Sequence, residues 1–168
     1  MPVQPQPTRT MIALNSIGLD QQKSTELAEG LNHLLADLQL QYQNLRAVHW
    51  NIRGEKFFEL HQKFDELYNS AQETADLVAE RILTLGAVPM HTFTDYVEAS
   101  GIVEAKDVSA PRGAVEAIVN GYTALLVRER SLLAAAAELS DEGTVSLISD
   151  LITEQEKTVW MLSAWLSD

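Results

Sequence analysis

The chain has 168 residues, of which 46% are hydrophobic, and this size suits one domain with a substantial core. It contains no cysteine, so disulfides, thiolate metal sites and cysteine nucleophiles are excluded. The net charge of −12 argues against unaided binding to nucleic acid or to an anionic membrane. Neither a run of about 18 apolar residues nor a basic-then-apolar leader occurs, so we expect no membrane span and a cytoplasmic location.

Proline placement predicts how the chain is organised. Three of the five prolines fall in the opening segment MPVQPQP, which predicts a disordered tail over residues 1–10. The folded domain is then expected over residues 11–168. Its prolines, Pro89 and Pro111, leave two long proline-free stretches, and each is long enough for a pair of helices.

The first pair of helices is predicted between Asp20 and Pro89. Asp20 can cap the first helix, which ends near Gly54. A second helix starts near Phe57 and ends near Gly86. Apolar residues recur in both at helical spacing, namely Leu27, Leu31, Leu34, Leu38, Tyr42 and Leu45, then Leu60, Phe64, Leu67, Ala71, Val78, Ile82 and Leu85.

A second pair of helices follows Pro111, with a turn at SDEGT that contains Gly143. Its apolar positions are Ile118, Tyr122, Leu125, Leu132 and Leu139, then Ile148, Leu151, Ile152, Val159, Leu162 and Leu166. The link before Pro111 must return across the bundle, and its segment TFTDYVEAS predicts a short extra helix. We therefore predict an all-α fold, a four-helix bundle with one long crossover that carries a short extra helix.

The second predicted helix carries potential metal ligands on the face that its apolar residues avoid. His61, Asp65, Asp76 and Glu80 lie roughly 100° to 200° from the apolar stripe around Leu60. The His61 and Asp65 pair lies roughly 22 Å from the Asp76 and Glu80 pair, because a helix rises about 1.5 Å per residue. One helix cannot bring both pairs to one ion.

The same face reads as a palindrome about a point between Ser70 and Ala71. The symmetric pairs are Phe58 with Leu83, His61 with Glu80, Asp65 with Asp76, and Asn69 with Gln72. This pattern is typical of an isologous contact, in which a helix packs antiparallel on its copy across a twofold axis. Two copies would form two mixed histidine and carboxylate sites. The alternative is an ordinary solvated helix face.

His49 has two interpretations. It is in register with the apolar residues of the first helix, where a lone histidine is more often a core residue. However, a turn centred near Gly54 places it level with His61, so the two side chains can converge.

The segment YQNLRAVHWNIRGEKFFELHQKFDELYNSAQETADLVAERILTLGAVP resembles the signature region of the Dps family, the mini-ferritins. The resemblance implies a ferritin-like bundle assembled from twofold dimers into a hollow dodecamer. It also implies ferroxidase sites at the dimer interface, which bind and oxidise iron, with hydrogen peroxide as oxidant and ferric mineral stored inside. The implied ligands are His49, His61 and Asp65 from one subunit, with Asp76 and Glu80 from its twofold mate.

The ligand types agree with that chemistry. Imidazole and carboxylate without thiolate select Fe(II), Mn(II) or Zn(II), so we expect iron, with Zn²⁺ or Mn²⁺ as substitutes. The ordinary ferritin centre inside one bundle needs a Glu-x-x-His motif, and no glutamate here has a histidine three residues later.

Two further features each have two interpretations. Trp50 can accept electrons near the site, as its family counterpart is thought to do, or can simply pack at an interface. Asp141, Glu142, Asp150 and Glu154 are interpreted as a cluster around the turn between the last two helices. That region resembles the family's threefold ion pore, although the helix dipole alone also favours acids there.

The tail departs from the family's DNA-binding pattern. Members that bind DNA through the tail carry several lysines in it, whereas MPVQPQPTRT offers only Arg9. Direct DNA binding is therefore in doubt. Iron oxidation with storage, and so protection against oxidative stress, is the leading hypothesis. The alternatives are a DNA-binding nucleoid protein and a metal-free scaffold.

Overall fold

The computed structural model describes residues 12–167, and this part of the chain is all-α. Its helices are α1 (Gln21–Asn51), α2 (Phe57–Thr84), α3 (Phe93–Ala99), α4 (Pro111–Glu138) and α5 (Glu142–Leu166). The four long helices form a bundle, and the short α3 lies in the crossover between α2 and α4. The predicted fold class and extra helix are confirmed. The predicted tail, residues 1–10, lies outside the described residues.

Within residues 12–167, no helix is long and apolar enough to cross a membrane.

The core consists of the apolar stripes that the sequence predicts. Leucines of α1, Phe64, Val78 and Ile82 of α2, and residues such as Ile118 and Ile148 from the second pair are fully buried against one another. Each fully buried side chain of this size contributes about 1.5–3 kcal/mol relative to an exposed one. Four residues of the predicted stripes are only partly buried, namely Tyr42, Leu139, Val159 and Leu166.

The α1–α2 reversal determines which side chains face each other at this end of the bundle. α1 starts as predicted, with the Asp20 carboxylate accepting a hydrogen bond from the Lys23 amide at 3.0 Å. After α1, the chain turns through Gly54 and Lys56, both with positive φ, while Ile52 is buried as an anchor. The tight turn places the last turn of α1 against the first turns of α2.

The α4–α5 turn differs from the prediction. Gly143 lies in the first turn of α5, and the left-handed residue of the connection is Ser140. Gly143 instead leaves space for Arg81 of α2, since a Cβ there would lie 2.8 Å from the Arg81 Nη1 atom. Arg81 donates to Asp141 at 2.5 Å and to the Thr144 hydroxyl at 2.8 Å, which fastens α2 to the start of α5.

Polar side chains of α1 hold the crossover in place. The Asp37 carboxylate, only 1% exposed, accepts from the Ser100 hydroxyl, the Gly101 amide and the Arg128 guanidinium at 2.5–2.9 Å. The Asn44 side chain bonds to two further backbone groups of the crossover at 2.8 Å each. The long link is therefore tied to the bundle along the length of α1.

Glu129 of α4 is a buried carboxyl inside the bundle. Gln155 of α5 donates to its Oε1 atom at 2.6 Å, but the other carboxylate oxygen has no partner among the described residues. Burial raises the pKa of Glu129 from 4.5 to about 7, because a charge is poorly solvated there. The folded protein therefore keeps a proton at Glu129 under conditions in which the unfolded chain loses it.

This raised pKa predicts a pH-dependent stability. Below pH 4.5 Glu129 is protonated in both the folded and the unfolded state. Between pH 4.5 and about 7 it ionises only in the unfolded chain. The stability that the protonated form contributes is therefore lost as pH rises. Glu129→Gln removes this titration. The free energy of unfolding of the variant, relative to that of the wild type, should rise by up to roughly 3 kcal/mol between pH 4.5 and pH 8. Urea unfolding at each pH measures it.

Glu116→Gln is the matched control, since Glu116 lies on the same helix with an exposed side chain. Its stability difference from the wild type should stay constant across the same pH range. A constant difference for Glu129→Gln as well would contradict the buried protonated carboxyl.

Candidate metal centre

Two histidines face each other across the α1–α2 reversal. The His49 and His61 rings stack with their centroids 3.8 Å apart and their planes 16° from parallel. The Nδ1 atom of His49 lies 2.8 Å from the His61 carbonyl oxygen, and the Nδ1 atom of His61 lies 2.8 Å from the His49 carbonyl oxygen. The expected convergence of the two histidines is therefore confirmed.

These reciprocal bonds indicate the tautomer of both rings. A carbonyl oxygen only accepts, so each Nδ1 must carry the proton and donate it. With the proton on Nδ1, Nε2 is the nitrogen of each ring that can bind a metal ion. This is the usual arrangement of a metal-binding histidine, whose second nitrogen is held by a backbone carbonyl or a carboxylate.

Aromatic neighbours hold the two rings in position. Phe57 stacks on the outer side of His61 at 5.1 Å, and the edge of Tyr68 meets His49 at 5.3 Å. His49 is buried and His61 is half-buried. The rings have little freedom to rotate away from the direction that their hydrogen bonds set.

Asp65 supplies a carboxylate beside this pair. It follows His61 by one helical turn, and its Oδ1 atom lies 3.9 Å from Nε2 of His49. The same oxygen accepts a hydrogen bond from the Tyr68 hydroxyl at 2.5 Å. This bond raises the pKa of Tyr68, so the phenol stays protonated and remains the donor. One imidazole nitrogen and one carboxylate thus lie close together at this end of α2, and the ring of His61 is stacked on that of His49.

Asp76 and Glu80 lie on the same helix but away from this group. Both are exposed, and the continuous α2 helix keeps them roughly 22 Å from the His61 and Asp65 pair. Among residues 12–167, no three histidine or acidic side chains of one chain come close enough to hold an ion. A single chain therefore offers two partial sets of ligands.

The face of α2 that carries these ligands is left largely uncovered by the other described residues. Its apolar end residues, Phe58 and Leu83, are 86% and 57% exposed, and Asn69 and Gln72 between them are exposed too. These exposed side chains leave the face available for contact with a second molecule. This exposure agrees with the predicted palindrome.

The side chain of Trp50 is 58% exposed, and the Arg46 guanidinium lies over its ring at 4.5 Å. Arg46 also lies 5.2 Å from the ring of Tyr42, so it links the two aromatic residues. An electron-accepting role for Trp50 stays a prediction.

Asp141 of the predicted pore cluster is buried at the start of α5. This carboxylate is only 2% exposed and accepts hydrogen bonds from Arg81, from the Thr144 amide at 3.1 Å and from the Thr144 hydroxyl. It caps α5 and pairs with Arg81, and a pore role for it stays a prediction. Its position before the helix satisfies free backbone amides, as N-cap residues do.

The other three acids of the predicted cluster do not gather around the turn. Glu142, Asp150 and Glu154 are exposed, but Glu142 and Glu154 lie roughly 18 Å apart along α5. Glu154 accepts a hydrogen bond from Ser70, in the middle of α2, at 3.1 Å. A pore lined by Glu142 or Asp150 at a threefold axis stays a prediction.

Tyr68 was missed as a residue of this centre. Its only signal in the sequence is that it follows Asp65 by three residues, which places both on one side of a helix. The reciprocal bonds of the histidines were missed as well, because they depend on the detailed path of the turn.

The chain is similar to proteins of known family. A family model described as a ferritin-like domain matches residues 28–168. The crystal structure of a Dps protein from Vibrio cholerae O1 is similar, with a TM-score of 0.90 and 50% sequence identity, and covers 94% of this chain and 99% of that one. The "DNA protection during starvation protein" of Porphyromonas gingivalis is 38% identical over 90% of this chain and 96% of that protein. An uncharacterized protein of Haemophilus influenzae is 48% identical over 89% of this chain and 93% of that protein.

The bundle of four long helices with one crossover is that of the ferritin-like class. Within that class, the chain belongs to the Dps family. The resemblance that the signature segment predicts is confirmed.

Proposed function

We propose that this protein oxidises Fe(II) with hydrogen peroxide at sites shared between two subunits, and stores the ferric product as mineral inside a dodecameric shell. Membership of the Dps family supports iron storage and protection in general. The relative from Vibrio cholerae is described as one of the ferritin-like diiron-carboxylate proteins. The observation that carries the proposal for this chain is the reciprocal pair of hydrogen bonds between His49 and His61, which frees both Nε2 atoms.

Each site takes its ligands from two chains. His49, His61 and Asp65 of one subunit form one half, and Asp76 and Glu80 of a second copy form the other. The exposed, palindromic face of α2 supports this division, because antiparallel contact across a twofold axis pairs one end of the helix with the other end of its copy.

The donor set suits ferrous iron as substrate. Imidazole nitrogens and carboxylate oxygens bind Fe(II), while Zn²⁺ and Mn²⁺ can take the same ligands as substitutes. Three carboxylates stabilise Fe(III) over Fe(II), because the higher charge gains more from each negative ligand. Two ferrous ions give one electron each to a peroxide molecule, which takes up two protons and leaves as two water molecules.

The proposal explains why the ligands face away from the bundle core. An internal centre would hold iron within one chain, whereas a site on the outer face is complete only when the subunits assemble. Removal of both ferrous iron and peroxide would then protect the cytoplasm against oxidative stress.

We predict that two broken variants repair each other. Co-expression of His61→Ala, Asp65→Ala with Asp76→Ala, Glu80→Ala, each with a different tag, should yield heterodimers with about one intact site, since each chain keeps the half that the other lacks. Anaerobic Fe(II) titration should find two sites per wild-type dimer, one per heterodimer and none in either parent variant.

Glu66→Ala, Glu73→Ala is the matched control, because it removes two exposed acids of α2 that lie outside the proposed site. It should bind Fe(II) like the wild type. Normal binding by both parent variants as homodimers would contradict the split site.

DNA binding is the second candidate function, because relatives such as that of Porphyromonas gingivalis are named for DNA protection. The net negative charge of this chain opposes DNA binding. Nonspecific DNA affinity comes from lysine and arginine that neutralise phosphates, and the chain has 12 basic against 24 acidic residues. We therefore propose protection through iron chemistry, without direct contact to DNA.

The protein should not retard supercoiled DNA in a gel at pH 7.5 and moderate salt without added Mg²⁺. A variant with three lysines added to its N-terminal segment provides the positive control, since it restores the basic residues that the tail lacks. Retardation by the wild-type protein that survives moderate salt would contradict this prediction.

A further inference from the structure

Tyr68 connects the packing of the helices to the proposed site. Its hydroxyl donates to Oδ1 of Asp65 at 2.5 Å, and its ring meets two side chains of α1 edge-on, Tyr42 at 6.1 Å and His49 at 5.3 Å. The ring is thus wedged between α1 and α2, and the position of its hydroxyl is set by residues of the neighbouring helix.

Asp65 needs such a partner to stay in place. Its side chain is 46% exposed, and within residues 12–167 its other oxygen has only a long contact of 3.5 Å with the Asn69 amide. A carboxylate at this exposure would otherwise exchange between rotamers, and binding an ion would cost the entropy of fixing one of them. The short hydrogen bond from the Tyr68 hydroxyl selects one orientation of the Asp65 carboxylate.

That orientation is suited to a shared ion. Oδ1 of Asp65 lies 3.9 Å from Nε2 of His49. Two ligand atoms that each bind one ion at about 2.1 Å are at most about 4.2 Å apart, so this pair is already within the required range. Tyr68 therefore holds a carboxylate of α2 at binding distance from a histidine of α1.

We propose that Tyr68 is a positioning residue, which acts through Asp65 to preform the metal-binding half of the site. This inference rests on the proposed function, because it requires that His49 and Asp65 bind the same ion. It adds a member to the site that is not itself a ligand. Outer partners of this kind typically account for a 10- to 100-fold effect on metal affinity.

The test uses Co²⁺ as a probe. In buffer without peroxide this ion binds and is not oxidised. Tyr68→Phe keeps the ring against Tyr42 and His49 but removes the hydroxyl, and it should weaken Co²⁺ binding about tenfold or more. The visible absorption bands of bound Co²⁺ should change in intensity, since they depend on ligand geometry. The thermal unfolding midpoint of the metal-free protein should stay close to that of the wild type.

Tyr42→Phe is the matched control. It removes a hydroxyl from a neighbouring tyrosine and keeps the ring. The Tyr42 hydroxyl donates to Gln72 at 3.3 Å and not to Asp65. Its Co²⁺ affinity and spectrum should match the wild type. Equal affinities for Tyr68→Phe, Tyr42→Phe and wild type would overturn the inference and leave the proposed function intact.

A double-mutant cycle shows whether Tyr68 acts through Asp65. In an Asp65→Asn background, Tyr68→Phe should cause no further loss of affinity, because the group that it positions has already been changed. An equal loss in both backgrounds would overturn the proposed route. Unchanged Co²⁺ binding by His49→Ala would instead overturn the proposed function itself, and with it the basis of this inference.

Discussion

The pair of hydrogen bonds between His49 and His61 is the contact on which the centre depends. Each bond alone contributes only about 1 kcal/mol to stability, as ordinary hydrogen bonds do. Their effect is chiefly one of direction, because each ring donates from Nδ1 to the backbone of the other helix and so leaves Nε2 as the nitrogen for a metal ion. The bonds can form only where α1 and α2 are joined by a tight reversal. The path of the chain between α1 and α2 therefore determines both the tautomer of the two histidines and the direction of their rings.

A second constraint comes from the rigidity of α2. A continuous helix of 28 residues keeps its two groups of ligand-type side chains on one face but more than four turns apart. The chain cannot bend them together, and its own core leaves that face exposed. A second copy in antiparallel contact removes both difficulties, since it supplies the missing carboxylates and covers the exposed apolar ends. Assembly and metal chemistry are thus coupled in the proposed function.

Helical periodicity predicted most of the fold, because burial of apolar residues is a local and repeating signal. The Asp20 cap and the stripes of α1 and α2 are examples, and so is the outward direction of Asp76 and Glu80. What the sequence left open depends on contacts between distant residues. Gly143 makes space for Arg81, and its role is invisible without the neighbouring helix.

The same limit explains what the sequence did not show at the candidate sites. Asp141 looks like an exposed acid when only its neighbours in sequence are considered, whereas Arg81, sixty residues earlier, buries and neutralises it. Tyr68 likewise has no motif, and its importance lies in a hydrogen bond and in ring contacts to α1. The position of the turn near Gly54 was enough to show that His49 and His61 can converge, and the family resemblance implied that both are ligands. The groups that orient them required the structure.

Anomalous diffraction from crystals soaked with Co²⁺ or grown with Fe(II) tests the shared site most directly. We predict two equivalent metal peaks per twofold dimer, each bounded by His49, His61 and Asp65 of one protomer and by Asp76 and Glu80 of its partner. A metal peak enclosed within a single bundle, or bound only by side chains of one chain, would contradict the account.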